Sequence, residues 1–172
     1  MSLEQNLDDK FKELNIIEEQ QNKIRFYLNM LKEKDIQTYY HSIAVGLKMA
    51  DAVDDKKAGL YCGILHDIGK LAIDDEILRK TEFTQDDLEK IKEHPVYGFL
   101  ILGEEFAFSA LAGALLHHQN QTKSYPCIKN LSTIIGSKNP ESLEKAKQYA
   151  KILHVIDDKD AKEHRRNNYR EQ

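Results

Sequence analysis

The chain of 172 residues contains no tryptophan, three prolines, eight glycines and two cysteines. So few turn-forming residues argue against an all-β domain built on tight turns. The cysteines, Cys62 and Cys127, stand in unrelated contexts, with neither a disulfide framework nor paired metal-ligand spacing. That usage points to a reducing compartment, the cytoplasm. No apolar run approaches the roughly 20 residues needed to cross a bilayer, so no membrane partner is expected. The opening MSLEQNLDDKFKEL is acidic and amphipathic and lacks an apolar leader core. Positive charge is not in excess either: 25 Lys and Arg against 29 Asp and Glu give −4. A protein that neutralises phosphates over a broad face needs the opposite balance, so no DNA or RNA polymer is expected as partner. There is no glycine-rich phosphate loop, because GKLAID lacks the preceding glycine spacing.

What is present is helical periodicity. Apolar residues make up 41% and charged residues 31%, a globular balance. Ile24, Tyr27, Leu28 and Leu31 fall on one helical face, as do Tyr61, Ile64, Leu65 and Ile68. His41, Val45, Met49, Ala52 and Val53 form another stripe, and Phe108, Leu111, Ala112 and Leu115 a fourth. Thr84 and Asp87 have capping-box spacing, and Asn139-Pro140 supplies a cap followed by a first-turn proline. These patterns predict an all-α bundle of about six or seven helices, over about 8–34, 38–53, 56–68, 85–103 with a break at Pro95, 105–118 and 141–164. Ser132–Ile135 hints at a strand too short to carry a sheet. The connections at 69–84 and 119–140 are long for a bundle, and long ordered loops are often functional. We read residues 1–172 as one domain, with 1–36 packing on or extending a core over 37–170.

Histidines mark the chemistry. His66-Asp67 closes the third predicted helix, with Gly69 as its stop; His94 sits at the break before Pro95, and His117-His118 ends the fifth helix. His41 opens the second stripe. Asp157 continues the register Leu143, Ala146, Ala150, Leu153, which places a carboxylate on a core-facing stripe. Such a group needs a partner, a proton or a metal. A single histidine at a helix end is more often a dipole-compensating cation than a ligand; three clusters and a buried carboxylate together favour a metal. Mixed imidazole and carboxylate donors suit Mn, Fe, Co, Ni or Zn.

These residues resemble the HD superfamily of metal-dependent phosphohydrolases, and within it the HD-GYP branch that hydrolyses cyclic di-GMP. The resemblance runs from about His41 to Arg170. It rests on HSIAV at 41–45, LHDIGKLAIDDEILRKTEFTQDDLEKIKEHPVYGFLIL, LLHH at 115–118 and ILHVIDDKDA at 152–161, in that order. It implies an HD-domain helical bundle holding two divalent transition-metal ions (Fe, Mn, or Ni, Co or Zn). One ion would take His41, His66, Asp67 and Asp157, and the second Asp67 as a bridge with His94, His117 and His118. It further implies a catalytic role for Asp67, with a bridging hydroxide as nucleophile. Lys70 would balance charge on the phosphate or leaving oxygen, although a cation closing a helix explains it equally well. Asp160, from the family's DxxDA pattern, would support the ligands rather than bind metal.

The branch's HHExxDGxGYP appears here as HHQNQTKSYP, one residue shorter, with Gln119 in place of the Glu and the Asp-Gly lost. Tyr125 survives as a substrate-binding candidate. Arg166, in HRRNNYR, could meet a phosphate or a guanine edge through its forked donors, against the alternative of a solvated charge run. The expected function is therefore hydrolysis of a nucleotide, foremost a cyclic dinucleotide. The alternatives are a phosphomonoesterase on the same scaffold and a catalytically weak nucleotide-binding signalling module. The amphipathic first helix would serve the last by pairing with a second copy or a signalling protein, or would simply pack on the domain.

Overall fold

A computed structural model describes residues 2–127 and 140–167 of the chain. The order is α1 (Leu3–Glu13), α2 (Glu18–Lys34), α3 (Ile36–Ala52), α4 (Lys56–Leu65), a 3-10 turn (Ile68–Ala72), α5 (Asp75–Leu78), α6 (Gln85–Ile91), α7 (His94–Leu102), α8 (Ala107–Ser109), a π-helical turn (Ala110–Leu115) and α9 (Pro140–Asn167). The fold is all-α, and no strand occurs among the described residues. The strand hint at 132–135 and the cap at Asn139 lie outside them.

Short polar side chains start these helices. Ser2 accepts from the Gln5 N–H at 3.1 Å, and Asp35 accepts from the Gln37 and Thr38 N–H groups at 3.2 and 3.0 Å. Asp55 accepts from Ala58 at 3.1 Å. Thr84 and Asp87 close the capping box in both directions, at 3.2 and 2.9 Å.

Two apolar clusters follow from the stripes. Leu7 and Phe11 of α1 and Ile24, Leu28 and Leu31 of α2 pack with Ile43, Leu60 and Ile64. Val45, Met49 and Cys62 pack with Leu111, Leu143, Ala146, Ala150 and Leu153. The first cluster seats the N-terminal helices; the second seats α9, and so brings Asp157 beside His41 in the first half of α3. Helices α3 and α4 meet at backbone distance, since a Cβ on Gly63 would lie 2.6 Å from the Gly46 Cα. That approach sets His41 and His66 side by side.

Several boundaries differ from expectation. The helix expected over 8–34 is two helices, because Asn15 turns left-handed with φ 50. Asparagine tolerates that conformation where larger residues do not. The expected loop at 69–84 contains the 3-10 turn and α5. Gly69 is not a left-handed stop: among the described residues the glycine with positive φ is Gly103. The fifth expected helix winds as a π-turn before His117, which loosens the register just where two consecutive histidines must face inward. No helix among the described residues is long and apolar enough to cross a membrane.

Candidate metal centre

Five elements deliver the site. His41 projects from α3, His66 and Asp67 from the end of α4, His94 from the start of α7, His117 and His118 from the turn after the π-helix, and Asp157 from α9. They converge as two donor groups, His41–His66–Asp157 and His94–His117–His118, each with its ligand atoms within 4.8 Å of one another.

Asp67 stands between the groups. Its Oδ1 lies 3.3 Å from His94 Nε2, while its Oδ2 lies 3.4 Å from His66 Nε2 and 4.0 Å from His41 Nε2. Lys70 donates to Oδ2 at 2.5 Å. Asp157 Oδ1 is 3.0 Å from His41 Nε2 and 3.7 Å from His66 Nε2.

The backbone selects the tautomers. Nδ1–H of His66 donates to Gly63 O at 2.7 Å, that of His94 to Ile91 O at 2.7 Å and that of His117 to Ala114 O at 2.8 Å. In the neutral rings each Nε2 is then a bare lone pair. His94 Nε2 and His117 Nε2 nevertheless face each other at 3.3 Å. His66 Nε2 is buried without a hydrogen-bond partner, with two carboxylates beside it. Lone pairs and carboxylate oxygens that converge in this way repel unless a cation lies among them. The donor set therefore fits divalent metal, and its chemistry suits the imidazole-binding transition metals.

Electrostatics sharpen that fit. Burial, reinforced by neighbouring imidazoles, drives His94 down to about 4, His118 down to about 3 and His117 well below the usual range. These rings do not carry a proton near neutrality. Burial also opposes charge on Asp67, but Lys70 and the imidazoles of His66, His94 and His41 outweigh it and hold the carboxyl well below its ordinary value. For Asp157 burial is likewise overcome by the histidines at positions 41 and 66. Burial opposes protonation of His41, yet hydrogen bonds to Asp157 and Asp160 raise it to about 9.

All seven residues expected as metal ligands are thus brought together. Lys70 reaches the site as the partner of Asp67. Tyr125 stacks on the His118 ring, with centroids 4.4 Å apart and planes at 28°. Burial raises its phenol, which stays a hydrogen-bond donor. The side chain of Arg166 lies outside the described residues. Asp160, expected to stand behind the ligands, has its Oδ2 2.7 Å from His41 Nδ1. Sequence reading missed Lys48, which donates to Asp160 Oδ1 at 2.7 Å, and Gln121, whose amide lies 2.6 Å from His118 Nδ1. The placement of Lys48 seven residues after His41, on the same face of α3, was the available signal for the first. Nothing in the sequence pointed to the second. Cys62 is buried in the core and Cys127 is exposed.

The described elements are all helical, and they carry two histidine groups with Asp67 between them. The HD domain family matches residues 38–162, and the chain belongs to that family of metal-dependent phosphohydrolases. The resemblance drawn from residues 41–170 is thereby borne out. The chain is 36% identical over 102 residues to a cyclic di-GMP phosphodiesterase of Pseudomonas aeruginosa, covering 53% of this chain and 24% of that protein. It is 34% identical over 112 residues to a cyclic di-GMP phosphodiesterase of Thermotoga maritima, covering 58% of this chain and 30% of that one. The chain thus spans less than a third of the length of either relative. No solved structure matches it.

Proposed function

We propose that this protein is a phosphodiesterase that hydrolyses a cyclic dinucleotide of the cyclic di-GMP kind at a dinuclear metal site. The observation that carries the reading is the division of Asp67, with Oδ1 toward His94 and Oδ2 toward His66 and His41. A carboxylate so placed can serve two cations at once. His41, His66, Asp67 and Asp157 would hold one ion, and Asp67, His94, His117 and His118 the other. When bound, such a pair supplies an activated water and neutralises charge on the phosphoryl oxygens.

The protein's own groups supply the rest. The carbonyls of Gly63, Ile91 and Ala114 hold three imidazoles in the ligating tautomer before any metal arrives. Lys70 holds Asp67 in place and brings a positive charge toward phosphoryl or leaving oxygen. Tyr125, stacked beside His118, offers a donor hydroxyl and a ring face to a nucleotide. Arg166 is a candidate for a phosphate or guanine contact by its chemistry alone. The relatives named above support the dinucleotide assignment.

Hydrolysis of a phosphomonoester is the second reading. It is favoured by Gln119, whose amide donates to Pro126 O at 2.8 Å and so ties the shortened 119–126 loop to itself. The deciding experiment is metal content of protein purified without chelators, with turnover of cyclic di-GMP, linear dinucleotides and mononucleotides. About two equivalents of metal and preference for the cyclic substrate support the proposal. A fully loaded protein that leaves every diester intact overturns it.

A further inference from the structure

Helices α3 and α9 face each other along a ladder of charge. His41 and Lys48 lie two turns apart on one face of α3, and Asp157, Asp160 and Glu163 follow at three-residue steps on α9. The rungs are His41 to Asp157 at 3.0 Å, His41 to Asp160 at 2.7 Å, Lys48 to Asp160 at 2.7 Å and Lys48 to Glu163 at 3.5 Å. Asp160 is 0% exposed, whereas the Lys48 side chain is 43% exposed. Both oxygens of this buried carboxylate are engaged: Oδ2 with His41 and Oδ1 with Lys48.

We propose that Lys48 is a positioning residue for the metal group His41–His66–Asp157, acting through Asp160. The assignment rests on the metal reading above. A carboxylate gripped at one oxygen can pivot about its Cβ–Cγ bond, and its ring partner swings with it. Gripped at both oxygens, it fixes the plane in which it meets His41 Nδ1, and hence the direction of the Nε2 lone pair toward Asp157 and His66. Lys48 also balances the charge of Asp160, so the carboxylate can remain ionised in a buried place without relying on a proton from His41. The other group gains nothing from this ladder, because His94 and His117 are oriented by backbone carbonyls.

The two contributions of Lys48 predict opposite effects on metal. As a positive charge alone, it would repel a cation, and its removal would strengthen binding. As a positioning group, its removal weakens binding at one group only. Outer partners of metal-bound histidines contribute about 10- to 100-fold in affinity, and Lys48 lies one bond further out, so a loss of about tenfold is expected.

The test uses the full chain stripped with chelator and titrated with Zn2+ by calorimetry, on the wild-type background and on His94→Ala, which disables the other group. On both backgrounds Lys48→Met weakens the step belonging to the His41 group about tenfold. Lys48→Arg, which keeps a charged donor, restores it. The remaining wild-type step stays close to that of the parent, and any fall in the metal-free melting temperature from the lost partner of Asp160 is recovered in Lys48→Arg. Unchanged or tighter binding in Lys48→Met overturns the assignment and leaves the metal reading standing. Equal weakening of both steps with a lowered melting temperature overturns it as well, because that marks a general structural role. If Lys48→Met does not fold, Lys48→Gln decides by the same comparison, with partial weakening expected. Failure of the wild-type chain to bind Zn2+ at all overturns the metal reading, and the assignment with it.

Discussion

A Cβ atom on Gly69 would overlap the carbonyl oxygen of His94, so these two residues meet backbone to backbone. The contact welds the 3-10 turn that follows Asp67 to the first turn of α7. It is the tertiary reason that Asp67 Oδ1 and His94 Nε2 come within 3.3 Å.

Gly69→Ala therefore tests the junction directly. The added methyl must push α7 away, because it meets backbone atoms of His94 and Gly98 rather than a flexible side chain. We expect a loss of about 2 kcal/mol or more, in the range of overpacking, together with weaker metal binding at the His94 group. Chemical denaturation and metal stoichiometry measure the two effects. Wild-type values for both would show that the backbone yields without consequence.

Asp67 and His94 should separate in their consequences. Asp67→Ala is expected to lose both metals, or to retain one weakly, and to abolish hydrolysis. His94→Ala leaves the His41, His66, Asp67 and Asp157 donors in place and should keep one equivalent. Asp67→Ala also strips the half-buried Lys70 of its carboxylate partner, and is expected to destabilise the metal-free protein by about 1–3 kcal/mol. Metal analysis, denaturation and turnover on the same preparations decide the matter. Two ions and normal activity in Asp67→Ala would sink the shared-carboxylate assignment.

Acidity acts on the metal-free protein from two sides. The folded state holds His94 at about 4, His118 at about 3 and His117 lower than usual, whereas the unfolded chain binds protons near the ordinary histidine value of about 6.5. Stability therefore falls as pH drops from about 6.5 toward 4. Asp67 and Asp157, both depressed, withdraw further stability as they titrate below the usual carboxylate range. His41 runs the other way, because its folded value is about 9. Its contribution is complete below about 6.5 and is lost as pH rises through 9. Melting temperature in excess chelator should peak near pH 6–7 and decline on both sides. A steady rise from pH 5 to 9 would contradict these directions.

Gln119→Ala should free the 119–126 loop by removing the amide that holds Pro126 O. Tyr125, stacked on His118, then loses part of its support. The expected result is a KM raised about 3- to 10-fold for the nucleotide, with kcat less affected and metal content unchanged, the pattern of lost ground-state binding. Loss of metal instead would place Gln119 among the groups that hold His118.

Much of this arrangement is legible along the chain. Helical stripes such as Leu143–Ala146–Ala150–Leu153 recur at the helical period because one face of α9 must be buried, and Asp157 falls in that register by arithmetic. The capping box at Thr84 is local, and local hydrogen bonds need no tertiary partner. Other features are invisible in one dimension. The break at Asn15 leaves the hydrophobic period running across it, so 8–34 reads as one helix. Gly69 reads as a helix stop because glycine at that place commonly turns left-handed; its role is instead a close approach to the backbone of His94, 25 residues further along the chain, which no local pattern announces.

What the sequence by itself determined is the all-α class, the stripes that bury the core and the set of histidines and aspartates able to bind a cation, because periodicity and side-chain chemistry are properties of residues and their spacing. Only the tertiary structure decided which atoms meet, with Asp67 Oδ1 toward His94 and Oδ2 toward His66, and that Lys48 stands behind Asp160. Such assignments depend on which helices meet and at what distance, and α3, α4, α7 and α9 meet through glycine contacts and apolar faces between residues far apart in the chain.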